Sequence, residues 1–165
     1  MTLANRITLL RIALIPLCLA FLLTGFWGLS AAVFLLLSFS DAIDGYVARK
    51  YKQVSELGKQ LDPLADKILV LSVLIGLTSL GKADPVAVML ISAREFFIAG
   101  IRAKGVFPAS PIAKWKTIVQ LLAVFLLILN LPLAEPVLWL AVILSYVSGG
   151  AYLWQSRFLK QLKLS

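Results

Sequence analysis

The sequence predicts an all-α membrane protein with six transmembrane helices and both termini on the cytoplasmic side. Of its 165 residues, 61% are hydrophobic and only 15% are charged, and the mean hydropathy of +0.95 is far above soluble norms. The apolar residues form six segments of about 20 residues, enough to cross a bilayer core of about 30 Å. This length allows one domain, which we place at residues 1–165.

The six helices are expected in regular order along the chain. The first follows Asn5 and Arg6, and we interpret it as a retained helix because no small-residue cleavage site follows it. Residues 50–57 form a polar connection, and residues 105–111, with two prolines, form a loop. The predicted helices cover about residues 7–24, 29–49, 58–80 (or from 61), 85–102, 112–129 and 136–158.

Basic residues are distributed unevenly over the two sides of this predicted bundle. Lysine and arginine total 16, and all but Lys82 fall on the side that holds both termini. The positive-inside rule places that side in the cytoplasm. Such a basic rim suits anionic lipid head groups and phosphorylated substrates, whereas nucleic-acid binding is disfavoured because no soluble basic domain exists.

The composition also excludes several kinds of site. There is no histidine, so imidazole catalysis and histidine-ligated zinc are ruled out. The single cysteine, Cys18, lies in an apolar run and allows no disulfide framework. A general base must therefore be a carboxylate or a lysine.

Four of the eight acidic residues lie close together in the sequence. Asp41 and Asp44 are three residues apart and Asp62 and Asp66 are four apart, so each pair shares a helix face. Four neighbouring carboxylates need cations to neutralise them, and their oxygens suit Mg²⁺, Mn²⁺ or Ca²⁺. The alternative is a solvated interfacial cluster, or structural ion pairs with Arg49 and Lys67.

The spacing around these aspartates resembles the signature of the CDP-alcohol phosphotransferases. It reads Asp41-x-x-Asp44-Gly45-x-x-Ala48-Arg49, eight further residues, then Gly58-x-x-x-Asp62-x-x-x-Asp66, and it fills all eight fixed positions of the signature. A narrower similarity, to the phosphatidylglycerophosphate synthases of that family, rests on residues 5–11, 62–67, 94–96 and 114–117.

The resemblance implies a role for each matching position. Asp41, Asp44, Asp62 and Asp66 would bind two metal ions, Mg²⁺ or Mn²⁺, that bridge the carboxylates and the pyrophosphate of a CDP-linked lipid. Asp66 would also be the general base toward the acceptor hydroxyl. Arg49 would contact the CDP portion, or else serve as a positive-inside anchor. A homodimer is implied as well.

Small and polar residues complete the expected nucleotide site. Gly45, Ala48 and Gly58 would let the nucleotide approach the backbone, or would provide close helix packing, and the two roles are compatible. Asn5, Thr8 and Arg11 recur at helical spacing and could line the same pocket from the first helix. A plain interfacial anchor is the alternative for Arg11.

A phosphorylated acceptor would need a cationic pocket beside the metals. Arg94 and Glu95 lie inside an apolar helix, where an uncompensated charge is costly, and Arg102 follows about two turns later. Lys114 and Lys116 open the fifth helix. We expect all four basic residues to bind the acceptor phosphate. Otherwise Arg94 pairs structurally with Glu95 and the rest are positive-inside anchors.

The resemblance implies a function. A cell-membrane (inner-membrane) enzyme facing the cytoplasm would transfer a phosphatidyl group from CDP-diacylglycerol to glycerol 3-phosphate, giving phosphatidylglycerophosphate and CMP. Other acceptors remain open: serine, inositol phosphate or phosphatidylglycerol. A divalent-cation transporter would also carry carboxylates on membrane helices, but it needs a polar path through the midplane. Here the four aspartates lie at the cytoplasmic ends, and the outer halves of the helices are apolar.

Overall fold

The structure is a computed structural model that describes residues 3–50, 56–102 and 111–162, with side chains at 8–40, 64–101 and 112–154. These residues form six α-helices and no strand, which confirms the predicted all-α class with six helices. In chain order the helices are α1 (Leu3–Leu23), α2 (Trp27–Lys50), α3 (Glu56–Ser79), α4 (Pro85–Arg102), α5 (Pro111–Ile128) and α6 (Ala134–Leu162).

Most predicted helix boundaries differ from the structure by a few residues, and only those of α4 agree at both ends. The connection expected at residues 50–57 is shorter, because α2 includes Lys50 and α3 already begins at Glu56. The sixth helix begins at Ala134, two residues before Pro136. Proline is tolerated in this first turn because the backbone N–H groups there have no intrahelical acceptor. Residues 51–55 and 103–110, which include most of the predicted connection and loop, lie outside the described part of the chain.

Helices α1, α3 and α5 end in the same kind of turn. Gly25, Gly81 and Asn130 have positive φ angles of 84°, 68° and 55°. In each turn this residue donates its N–H to the carbonyl three residues earlier, and the next residue donates to the carbonyl five residues earlier, as in the 2.9 Å bond from Lys82 N to Leu77 O. This is a Schellman cap, which needs glycine or asparagine in the left-handed conformation.

The three tight turns pair the helices as antiparallel hairpins, α1 with α2, α3 with α4, and α5 with α6. The other end of the bundle, which we call the aspartate end, therefore holds the C-terminus of α2 and the N-terminus of α3. At the turn end, Asp84 accepts a 2.7 Å hydrogen bond from the N–H of Val86 and caps α4, whose first residue is Pro85 as predicted.

Helix α3 is the central helix of the bundle, because it contacts α1, α2, α4 and α5. Its side chains at Leu69, Val73, Leu74 and Leu77 are fully buried. Helix α1 approaches α3 closely at Gly76, where a Cβ added to the glycine would lie 3.1 Å from a methyl group of Leu22. A Cβ at this position would require the Leu22 side chain to move by a few tenths of an ångström, so glycine suits the close contact between α1 and α3.

One helix in the described part of the chain is both long and apolar enough to cross a membrane, over Ala134–Trp154. Shorter apolar helical segments cover Thr8–Leu23 and Trp27–Ser40. The prediction of six helices is thus confirmed, while the prediction that all six cross a membrane stays a prediction.

Candidate active site

A cavity of about 440 Å³ opens between α3, α4 and α5. Its walls include apolar side chains such as Val70, Leu71 and Ile98, and charged side chains from all three helices. We call it the charged cavity. The charged residues that line it are Asp66, Lys67, Arg94, Glu95, Lys114 and Lys116.

Glu95 is the electrostatic centre of the charged cavity. It is only 3% exposed, and three cations from three helices contact its carboxylate. Arg94 Nη1 donates to Oε1 at 2.8 Å, Lys116 Nζ donates to the same oxygen, and Lys67 Nζ lies 3.5 Å from Oε2. A buried carboxylate would be unstable alone, so these contacts fix α3 and α5 against α4.

Arg94 connects the charged cavity to α6. Its Nε donates to the carbonyl of Ser145 at 2.8 Å and its Nη2 donates to the hydroxyl of Ser148 at 2.7 Å. Gly149 lies beside this contact, and a Cβ there would be 3.4 Å from Nε. Arg94 pairs with Glu95, which was the alternative to phosphate binding in the sequence analysis. Arg94 also lines the charged cavity, so phosphate binding stays a prediction.

Asp66, the last aspartate of the predicted phosphotransferase motif, lines the same cavity as these cations. It is half-buried on α3. The other three motif aspartates lie on the helical backbones of α2 and α3, but their side chains are outside the described part. Among the side chains that are described, no three acidic, histidine or cysteine residues form a metal-holding group. The metal site therefore stays a prediction.

Arg11 lies inside the bundle and contacts α2. It is 2% exposed, and its Nε donates to the Ser40 hydroxyl at 3.1 Å. An interfacial anchor would extend its guanidinium to the surface, so that alternative for Arg11 is wrong. Thr8, one turn earlier, is also fully buried. Both side chains therefore face the interior of the bundle, and their place in the nucleotide site stays a prediction.

The structure brings part of the predicted site together. Asp66, Arg94, Lys114 and Lys116 share the charged cavity. The remaining predicted residues have side chains outside the described part of the structure, and their roles stay predictions. They are Asn5, Asp41, Asp44, Gly45, Ala48, Arg49, Gly58, Asp62 and Arg102.

Four polar residues that line the cavity were not assigned to it from the sequence: Lys67, Glu95, Thr117 and Gln120. The sequence indicates Lys67 as a possible ion-pair partner of the aspartates and Glu95 as a possible partner of Arg94. The available signals were the position of Lys67 directly after Asp66, and the position of Gln120 one turn after Lys116 in an otherwise apolar run.

Comparison with known proteins agrees with the motif. A family model described as CDP-alcohol phosphatidyltransferase matches residues 1–147. Proteins named CDP-diacylglycerol–glycerol-3-phosphate 3-phosphatidyltransferase from Rickettsia bellii and Bacillus subtilis are each 38% identical, with 91% of this chain and 92% of the relative covered. A probable phosphatidylglycerophosphate synthase from Mycobacterium tuberculosis is 36% identical, with 91% of this chain and 79% of the relative covered. The chain belongs to the CDP-alcohol phosphatidyltransferase family.

Proposed function

We propose that this protein transfers the phosphatidyl group of CDP-diacylglycerol to sn-glycerol 3-phosphate, giving phosphatidylglycerophosphate and CMP for phosphatidylglycerol synthesis. The names of its relatives state this reaction for those proteins. The observation that carries the proposal for this chain is the charged cavity, in which the motif residue Asp66 lies beside a group of basic side chains.

The charge of the cavity fits a phosphorylated acceptor. Four basic and two acidic side chains line it, which leaves an excess of two positive charges. Lys116 is 7% exposed and Glu95 is 3% exposed, so solvent screens these charges weakly. A phosphate dianion would neutralise the excess. We assign Arg94, Lys114 and Lys116 to acceptor-phosphate binding, together with Arg102.

Asp41, Asp44, Asp62 and Asp66 suit a divalent metal, for which we propose Mg²⁺ or Mn²⁺. The donor set consists of carboxylate oxygens alone, as hard cations prefer, and the helices that carry the two pairs contact each other. When bound, such ions would neutralise the pyrophosphate and stabilise CMP as the leaving group.

The protein's own residues would hold the substrates and move one proton. As the acceptor hydroxyl oxygen bonds to the phosphorus that carries diacylglycerol, Asp66 accepts the hydroxyl proton. The bond from that phosphorus to the CMP oxygen breaks, and CMP departs. We assign binding of the CDP portion to Arg49, Gly45, Ala48, Gly58, Asn5 and Thr8.

We also propose that all six helices cross the cell membrane, with the aspartate end in the cytoplasm. Even the shortest helices, α4 and α5, have 18 residues, or about 27 Å of rise. Large apolar side chains point outward, including Leu36, Phe96 and Trp154, which are 70%, 69% and 77% exposed. Lipid would cover such a surface.

The orientation can be tested with single cysteines in a Cys18→Ser background. On intact cells, a membrane-impermeant thiol reagent should label Lys82→Cys and leave Lys160→Cys unlabelled. Inverted vesicles should give the opposite pattern. Labelling of both positions from one side would contradict the proposed topology.

A homodimer is proposed from the family resemblance. Light scattering of the purified protein, corrected for detergent, would measure the mass directly. A mass near 36 kDa, twice the 18.0 kDa of one chain, is expected, and a monomer mass would contradict it.

The reaction itself is tested by CMP release from CDP-diacylglycerol with a panel of acceptors. Glycerol 3-phosphate should be used in strong preference to glycerol, serine, inositol phosphate and phosphatidylglycerol. Equal use of glycerol and glycerol 3-phosphate would contradict the role of the charged cavity, and no CMP release with any acceptor would contradict the transferase assignment.

A further inference from the structure

The three cations that contact Glu95 differ in how firmly they are held. Lys67 is the farthest from the carboxylate, at 3.5 Å, and its side chain is 23% exposed. The side chains of Arg94 and Lys116 are 10% and 8% exposed. Lys67 is therefore the member of this group with the weakest contact to Glu95 and the greatest access to the space of the cavity.

The other two cations are held by stronger contacts. Arg94 uses three of its nitrogens on Glu95, the carbonyl of Ser145 and the hydroxyl of Ser148. Lys116 donates directly to Glu95. Moving either toward a ligand would break hydrogen bonds to buried partners, which is costly, whereas Lys67 would give up only a long ion pair.

The position of Lys67 also matches the proposed chemistry. It directly follows Asp66 on α3, and both residues line the charged cavity. Glycerol 3-phosphate is a short molecule, so a phosphate held at Lys67 would keep its hydroxyl near Asp66. A lysine ammonium on a flexible stem can also turn from a carboxylate to a phosphate without rearranging the helices.

We propose that Lys67 is a specificity-determining residue that turns from Glu95 to contact the acceptor phosphate. Arg94 and Lys116 face that phosphate from the fixed positions in which Glu95, a positioning residue, holds them. This inference rests on the proposed function, since it concerns the acceptor of that reaction. In the absence of acceptor, Glu95 is the counter-ion of Lys67, and the phosphate replaces it when the acceptor binds.

The test compares Lys67→Gln and Lys67→Arg with the wild-type enzyme. Lys82→Gln is the matched control, because it removes one positive charge at the turn end of the bundle. Lys67→Gln should raise the KM for glycerol 3-phosphate by about tenfold or more, as expected for loss of a charged hydrogen bond. Its KM for CDP-diacylglycerol should stay within about twofold. Lys67→Arg should keep most of the affinity, and Lys82→Gln should match wild type.

A second measurement does not depend on turnover. The thermal unfolding midpoint of the detergent-purified protein should rise with added glycerol 3-phosphate, and Lys67→Gln should need about tenfold more ligand for the same rise. If Lys67→Gln is not recovered folded, Lys67→Met, of nearly equal length, replaces it in both assays.

The outcomes separate the two proposals. If wild type does not use glycerol 3-phosphate, the proposed function fails, whatever the variants do. If wild type uses it and Lys67→Gln leaves its KM and thermal response unchanged, the assignment of Lys67 is overturned and the function stands. Equal increases in both KM values, or a lower kcat at constant KM, would also overturn the assignment.

Discussion

Arg11 and Ser40 join α1 to α2 through a 3.1 Å hydrogen bond from the guanidinium Nε to the hydroxyl oxygen. Ser40 directly precedes Asp41, the first aspartate of the motif, and Arg11 is 2% exposed. A buried arginine must keep its hydrogen bonds, because an unpaired charge in an apolar bundle is costly. The contact therefore holds the start of the motif against α1.

Replacement of Arg11 should destabilise the protein and lower transfer. Arg11→Met removes the buried charge and its hydrogen bond, and Ser40→Ala removes only the acceptor. Thermal unfolding of the two variants and the double variant should give a coupling free energy of about 0.5–3 kcal/mol. Fully additive effects would show that the two side chains do not act together.

The three aspartates Asp41, Asp44 and Asp62 should be essential for transfer. Changing any one to asparagine keeps the side-chain volume but removes a charged ligand, so CMP release should fall nearly to background even at saturating Mg²⁺ or Mn²⁺. Glu135→Gln, at an exposed carboxylate on the turn end, is the matched control and should retain full activity. Normal turnover in an aspartate variant would remove that residue from the proposed site.

Asp66→Asn should reduce turnover more than it reduces binding of CDP-diacylglycerol. The proposed base function is lost completely in the amide, whereas three carboxylates remain to hold the metals. The measurement compares the affinity for CDP-diacylglycerol with the rate at saturating acceptor. If both fall by the same factor, Asp66 is a metal ligand without a separate role as base.

Removal of the Glu95 charge should destabilise the bundle. Glu95→Gln leaves Lys67, Arg94 and Lys116 without their shared carboxylate, and loss of one partner of a buried ion pair costs about 3–5 kcal/mol. The double variant Glu95→Gln with Lys116→Gln should regain part of this loss, since one uncompensated charge is gone. Thermal unfolding midpoints of the single and the double variant in detergent test these two expectations. A Glu95→Gln variant as stable as wild type would contradict the counter-ion role of Glu95.

Arg102→Ala tests the acceptor phosphate site from the C-terminal end of α4. Loss of one charged phosphate contact should raise the KM for glycerol 3-phosphate by about 10- to 150-fold, equivalent to about 1.5–3 kcal/mol. The KM for CDP-diacylglycerol should change much less. An unchanged KM for glycerol 3-phosphate would leave Arg102 as a membrane-surface anchor.

Local features of the sequence determined the helices and the motif. Apolar segments separated by turn residues predicted six helices, and Gly25, Gly81 and Asn130 lie in the turns that end three of them. The spacing of the aspartates identified the family, because it depends only on positions along two helices. These features are encoded within one helix or one turn, so the sequence reveals them without knowledge of packing.

The tertiary structure alone decided which charges meet. Glu95 in an apolar helix signalled that a partner was needed, but the sequence suggested only its neighbour Arg94. The structure adds Lys116 from α5 and Lys67 from α3, and it places Arg11 in the interior. Such contacts depend on how each helix is rotated against the others, and that rotation is set by the packing of the whole bundle, as at Gly76 and Leu22.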